Sequence, residues 1–157
     1  MGAAIPIFLL GALALLLVSA GIQDARTREI ANWKNGAIAL LAPAWWWANG
    51  LALWPDVGVQ IGVAAVVFAL FVGAYALGQM GGGDVKMIGA LALWLPMQPL
   101  VWMLIWMSLL GGALTLLMLA ERRIRRRETG PIEVPYGVAI ALAALLILRE
   151  PIFNQFS

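Results

Sequence analysis

The sequence predicts an all-α fold of about six membrane-crossing helices, and three observations carry that expectation. The 157 residues are 63% hydrophobic and 11% charged, with a mean hydropathy of +0.92. An ordinary soluble domain is roughly half apolar and a quarter charged. Several apolar runs approach or exceed the ~20 residues that a helix needs to cross a ~30 Å hydrocarbon layer. Most charged residues fall between these runs, and Lys86, Arg149 and Glu150 lie near the ends of theirs. Helices follow because an open strand edge facing lipid would leave its amides without partners. With no internal repeat or low-complexity linker, residues 1–157 read as one membrane domain.

The first span is expected over residues 4–22. Val18-Ser19-Ala20 has the small-residue pattern of a signal-peptide cleavage site, but no Lys or Arg precedes the apolar run, and Arg26, Arg28 and Lys34 follow it. That is the reverse of a signal peptide's charge order, so an uncleaved span fits better. The second span, 36–53, ends on Trp45, Trp46 and Trp47, with Trp54 just beyond, and the third covers 57–77. The fourth, 85–95, is short for a full crossing; it begins inside the membrane at the preceding glycines or sits in thinned bilayer. The fifth covers 100–120, and Trp94, Trp102 and Trp106 flank its connection to the fourth. Tryptophans at span ends are expected as interfacial anchors rather than as a cofactor box. The sixth span covers 135–152.

Charge sets the expected orientation. With six spans and an outside N-terminus, the inner connections hold Arg26, Arg28, Lys34, Lys86, Arg122, Arg123, Arg125, Arg126 and Arg127, nine of the ten basic residues. Only Arg149 is left outside. The basic run 122–127 is a topology anchor against anionic headgroups, or else a partner-binding patch. The chain has no Cys and no His, which excludes disulfides, thiol nucleophiles, imidazole chemistry and the usual zinc sites. A net charge of +2 with so little aqueous domain gives no case for nucleic-acid binding.

Chemistry must then come from carboxylates, hydroxyls or amines, and the topology singles out two acids. The first span ends just before Asp24 and the fourth begins at Asp84, so both lie at one membrane level. Packed together, two such carboxyls cannot both ionise cheaply; they share one proton and titrate as a unit. The ionised member can take a proton from water while the protonated one donates to a carbonyl. Each acid also has a plainer reading: Asp24 as a solvated charge beside Arg26, Arg28 and Glu29, and Asp84 as a cap on the helix that follows it. Gly81, Gly82 and Gly83 exceed what a cap needs and suit backbone lying close to a substrate strand. Lys86 is a candidate tuner of the acid pair or a positive-inside anchor. Pro135, Tyr136 and Gly137 are candidates for a wall of the cleft, although proline in a helix's first turn explains Pro135 as well. Basic neighbours disfavour a metal at the two aspartates, and no cofactor is called for. Two rival readings remain at this level: a small ion- or proton-coupled transporter, and a non-catalytic membrane assembly component.

Three stretches carry a resemblance. Gly78-Gln79-Met80-Gly81-Gly82-Gly83-Asp84-Val85-Lys86-Met87 resembles the Gly-x-Gly-Asp region of the type IV prepilin peptidases, intramembrane aspartic proteases of presenilin-like type. Asp24-Ala25-Arg26-Thr27-Arg28-Glu29-Ile30-Ala31-Asn32 is similar to that family's other aspartate block, with Ala31 where a proline is usual. Val134-Pro135-Tyr136-Gly137-Val138-Ala139 resembles the start of its last helix. The resemblance implies six membrane helices, catalytic aspartates at Asp24 and Asp84, and removal of a short basic leader from prepilins and pilin-like proteins at the cytoplasmic face of a bacterial inner membrane. The implied partners are these precursors, membrane lipid and the pilus assembly machinery. Larger members add a cysteine-bearing insertion and methylate the new N-terminus; this chain has no cysteine and only residues 23–35 between its first two spans. Its compact form is most like the peptidases of Flp/Tad pilus systems.

Overall fold

The computed structural model describes residues 4–125 and 133–154, with side chains as far as 149. Arg126 and Arg127 of the basic run lie outside the described residues. Six helices follow in order: α1 (Ala4–Thr27), α2 (Asn32–Ala48), α3 (Gly58–Ala76), α4 (Gly82–Ala92), α5 (Met97–Arg125) and α6 (Tyr136–Asn154), with a short wound turn over Leu53–Val57 ahead of α3. The described chain is helical throughout its regular structure, as the composition predicts. Three stretches are long and apolar enough to cross a membrane by themselves: Ala4–Thr27, Leu53–Ala76 and Met97–Arg125. The boundaries shift from the expected ones in an instructive way. α1 runs five residues past its apolar run because Gln23, Asp24, Ala25 and Arg26 are all tolerated in a helix, and it ends where Arg28 turns to a left-handed φ of 57°.

α1 and α6 form the closest helix pair. Leu10, Leu13, Leu17 and Gly21 recur three or four residues apart along α1 and are buried, which is one face of a helix. α6 is buried at Ala139, Ile140, Ala141, Ala143 and Ala144, with Ala141 turned to α1 and Ala139 to Gly111 of α5. Small residues matter here: lipid tails are as apolar as leucine, so helices associate in a bilayer through close backbone packing. A methyl at Gly21 would lie 3.2 Å from Ala141 Cβ.

α4 is the centre of the bundle. Its 11 residues span only about 16 Å at 1.5 Å per residue, too short to cross the hydrocarbon alone. Val85, Met87, Ile88, Ala90, Leu91 and Ala92 are all buried, so the helix is covered on nearly every side. Its C-terminal carbonyls therefore end within protein, where water cannot satisfy them. Side chains do so instead. Gln60 Nε2 donates to the Ala92 and Leu95 carbonyls at 2.7 and 2.6 Å, and Trp46 Nε1 donates to the Leu93 carbonyl at 2.8 Å. Beyond this end lies a space of about 660 Å³ bordered by Trp45, Trp46, Trp94 and Trp102.

The tryptophans correct part of the sequence expectation. Trp47, Trp54, Trp102 and Trp106 are exposed, as anchors should be. Trp94 is 3% exposed; its Nε1 donates to the Ile38 carbonyl at 2.8 Å and its ring stacks on Trp45 at 5.4 Å. It is a pillar between α2 and the end of α4. An indole is large enough to fill the room left when α4 stops short, and its N–H caps a buried carbonyl.

Candidate active site

Both aspartates sit at the end of the bundle where Arg26, Arg28, Lys34 and Lys86 gather. Asp24 lies in the last two turns of α1 and continues the buried stripe after Leu17 and Gly21, so the helix turns it inward and leaves it 4% exposed. This corrects the plainer reading of Asp24 as a solvated loop charge. Its Oδ2 accepts the Val138 N–H at 3.2 Å, an amide in the first turn of α6 that it shares with the Pro135 carbonyl at 3.1 Å. Gly137 makes the approach possible: a Cβ there would lie 2.8 Å from both Cγ and Oδ2 of Asp24.

Asp84 is the third residue of α4, after Gly82 and Gly83, with Gly81 as the extended residue before the helix. It is 8% exposed. Ile30 links the two acids' surroundings. A Cβ at Gly83 would meet Ile30 Cβ at 3.3 Å, and one at Gly137 would meet Ile30 Cδ1 at 2.7 Å. Asp84 precedes the apolar stretch of its helix, and burial together with the charge of Asp24 pushes its carboxyl up to about 7, against a smaller opposing effect of the Gly81 amide. The two acids are thus near enough for one to oppose ionisation of the other.

The expected site residues divide clearly. Asp24, Asp84, Gly83 and Gly137 come together around Ile30. Gly81 has the extended, exposed backbone that suits a substrate strand, whereas Gly82 and Gly83 are helical, and a Cβ on Gly82 would meet the Tyr75 ring at 3.5 Å. Lys86 does not face the acids: its Nζ donates to Asn32 Oδ1 at 2.9 Å and ties α4 to the start of α2. Pro135 is buried directly ahead of α6. Tyr136 lies over Gly111 of α5, whose added Cβ would meet the ring at 2.9 Å, so it braces α6 rather than lining the space between the aspartates.

Sequence reasoning missed Asn35, Ile30 and the Val138 amide. Asn35 is 4% exposed and donates from Nδ2 to the Gly83 carbonyl at 3.1 Å, which fixes the residue before Asp84. Its signal was present: an amide beside an apolar run in a chain with few polar residues. The Val138 amide has no sequence signal, because every non-proline residue has one. Lys34 is buried too, with Nζ on the Ser19 carbonyl at 2.9 Å, so it clips α2 to α1 besides marking a side of the membrane. Ala31, which stands in the place of the resembled family's proline, holds φ −60° and ψ 131°. That φ is the one a pyrrolidine ring would impose, so the turn from α1 into α2 keeps its shape without proline.

Two buried carboxyls that compete for one proton can deliver acid and base to opposite sides of a bond. Such chemistry needs no third ligand or cofactor, but the geometry alone does not name the bond. Comparison with known proteins does so at the level of family. No curated protein and no solved structure matches the chain. The type IV leader peptidase family matches residues 11–116, a stretch that holds both aspartates and all of α2, α3 and α4. The Pro135-Tyr136-Gly137 block lies beyond it. Over well more than half its length, then, this helical membrane chain carries the pattern of enzymes that act on prepilin-type leaders, and it belongs to the type IV leader peptidase family.

Proposed function

We propose that this chain is an aspartic endopeptidase that removes the short basic leader of Flp/Tad-type prepilins and pilin-like proteins at the cytoplasmic face of the inner membrane. Asp24 and Asp84 are its carboxyl pair. The observation that supports this most is their joint burial: the charge of Asp24 helps to hold the Asp84 carboxyl near 7. A pair that shares one proton has the division needed for peptide hydrolysis. Asp84 is the seat of that proton and donates to the scissile carbonyl oxygen. Asp24, oriented by the Val138 amide, takes a proton from the attacking water. The water oxygen bonds to the carbonyl carbon to give a gem-diol; the C–N bond then breaks as Asp24 passes its proton to the leaving amine, and one diol hydroxyl returns its proton to Asp84 as the carboxyl product forms.

The remaining parts of the reading rest on topology and length. Arg26, Arg28, Lys34 and Lys86 lie at the aspartate end, which the positive-inside rule assigns to the cytoplasm, with the N-terminus outside. In the single domain 1–157, α1 and α2 are joined by residues 28–31 alone, which leaves no place there for a methyltransferase insertion, and the chain has no cysteine. Gly81, exposed and extended, is the backbone best placed to lie beside a substrate strand; Gly83, Pro135 and Gly137 shape the site around it, while Gly82 and Tyr136 hold α4 and α6 in place from outside it. Lys86 contributes through its hold on Asn32. The partners are precursor, lipid and the pilus assembly machinery.

The test is purified protein with a candidate Flp-type prepilin in detergent, followed as a mobility shift on a gel. Wild type shortens the precursor, and Asp24→Asn and Asp84→Asn each leave it whole while still unfolding in a cooperative thermal transition. Cleavage that survives either substitution would reject the pair, and a change in ion flux without cleavage would favour a transporter.

A further inference from the structure

On the lipid-facing side of α4, away from the tryptophan-lined space, α2 and α3 both pack against α4 and leave a groove of about 520 Å³ between them. Each helix lines it with four residues spaced i, i+3, i+4, i+7, beginning at residues 32, 61 and 86. Seven residues of helix rise about 10 Å, so the groove is roughly two turns long. Ala90 forms its floor and Gly36, Ala39, Ala64 and Ala65 its walls, while the Phe68 ring lies against Gly89. Small side chains along a membrane groove let another helix backbone approach closely.

Two further observations say what enters. Asn35 lines the groove, and with Nδ2 committed to the Gly83 carbonyl its Oδ1 is a buried acceptor without a hydrogen-bond partner. An acceptor in that state costs free energy until it receives an N–H. The charged end of the groove is also the site end. Lys86, its one charged lining residue, is two positions from Asp84 and is held by Asn32. An occupant of the deeper groove is therefore uncharged, and inside a bilayer it must satisfy its own amides, which makes it a helix. Only where that helix unwinds does it have an N–H to spare.

We propose that this groove seats about two turns of the precursor's apolar helix, with Asn35 Oδ1 accepting a main-chain N–H from the unwound residues beside Asp84. The inference rests on the peptidase reading and adds the surface that presents the substrate to it. Ala65 is on the groove wall, while Leu70, exposed and on the opposite side of α3, faces away from it.

The chain has no cysteine, so single cysteines are clean probes. Full-length protein carrying Ala65→Cys or Leu70→Cys is mixed in detergent with an Flp-type prepilin bearing one cysteine about two turns after its cut site, and oxidised. Disulfide forms at residue 65 at least tenfold faster than at residue 70. In the cleavage assay Ala65→Trp, which fills the groove, slows processing about tenfold, whereas Leu70→Trp leaves the rate unchanged. Equal cross-linking at 65 and 70, or full activity with Ala65→Trp, overturns the inference and leaves the groove to lipid. Wild-type protein that leaves the prepilin whole would instead overturn the peptidase reading, and the cross-linking pattern, which needs no cleavage, separates the two failures.

Discussion

Gly137→Ala tests the site through one methyl group. Gly137 is buried at the start of α6, and its new Cβ would lie 2.8 Å from Asp24 Cγ and Oδ2 and 2.7 Å from Ile30 Cδ1. Ordinary carbon contacts are ~3.5–4.0 Å, so something must yield by roughly 0.7 Å or more. The tip of Ile30 can swing. Asp24 cannot move away freely, because its helix is locked against α6 along the whole Leu10 to Gly21 stripe and its Oδ2 is held by Val138. The carboxylate therefore shifts or loses the Val138 bond. A misplacement approaching 1 Å in a catalytic constellation costs about 10²-fold in rate, or roughly 2.7 kcal/mol of transition-state stabilisation. The overpacking itself costs about 1–3 kcal/mol of stability. The assay is prepilin cleavage by purified protein, with Gly21→Ala as control. That methyl meets Ala141 Cβ at 3.2 Å in the same α1–α6 interface but does not touch the acid. Gly137→Ala should fall about 10²-fold and Gly21→Ala no more than about threefold. Equal effects of the two, or near wild-type activity of Gly137→Ala, would refute the claim that this glycine exists to admit Asp24.

With the Asp84 carboxyl at about 7 rather than 3.8, cleavage should decline as pH rises through about 7, where the proton shared with Asp24 is lost. The same raised value means that the folded state binds more protons than the unfolded chain between those limits. The contribution of Asp84 to stability is then greatest below about 4 and is lost as pH rises toward 7, and Asp84→Asn should remove that part of the slope in thermal melts. Gln60→Leu should remove the donor from the Ala92 and Leu95 carbonyls at the buried end of α4. Its cost is about 2 kcal/mol, read as a fall of about 4–8 °C in Tm, and an unchanged Tm would mean that other donors reach those carbonyls.

Much of this arrangement was legible in the residues themselves. Length of apolar run and the shortage of charge dictate helices in lipid, and the short fourth run announces a helix that cannot cross alone. Asp24 and Asp84 stand out because carboxylates are expensive near hydrocarbon and few are present. Other features were hidden. Trp94 looks like an interfacial anchor until α4 is seen to stop at Ala92 and the indole that follows is found buried, donating to the Ile38 carbonyl of α2. Lys86 looks like a partner of Asp84 because it is two positions away, yet residues so spaced on a helix point to different sides, and its amine reaches Asn32 instead.

Composition and local spacing are enough to set the solvent, the number and order of the helices, and which side chains are available for chemistry. What those side chains meet comes from the packing of the helices: Asp24 on an α6 amide 114 residues away, Ile30 wedged between Gly83 and Gly137, and Asn35 bonded to the carbonyl before Asp84. Such contacts are fixed by how closely helices approach one another. That distance is set where a side chain is absent, and no local pattern records which of 17 glycines will have a neighbour pressed against it.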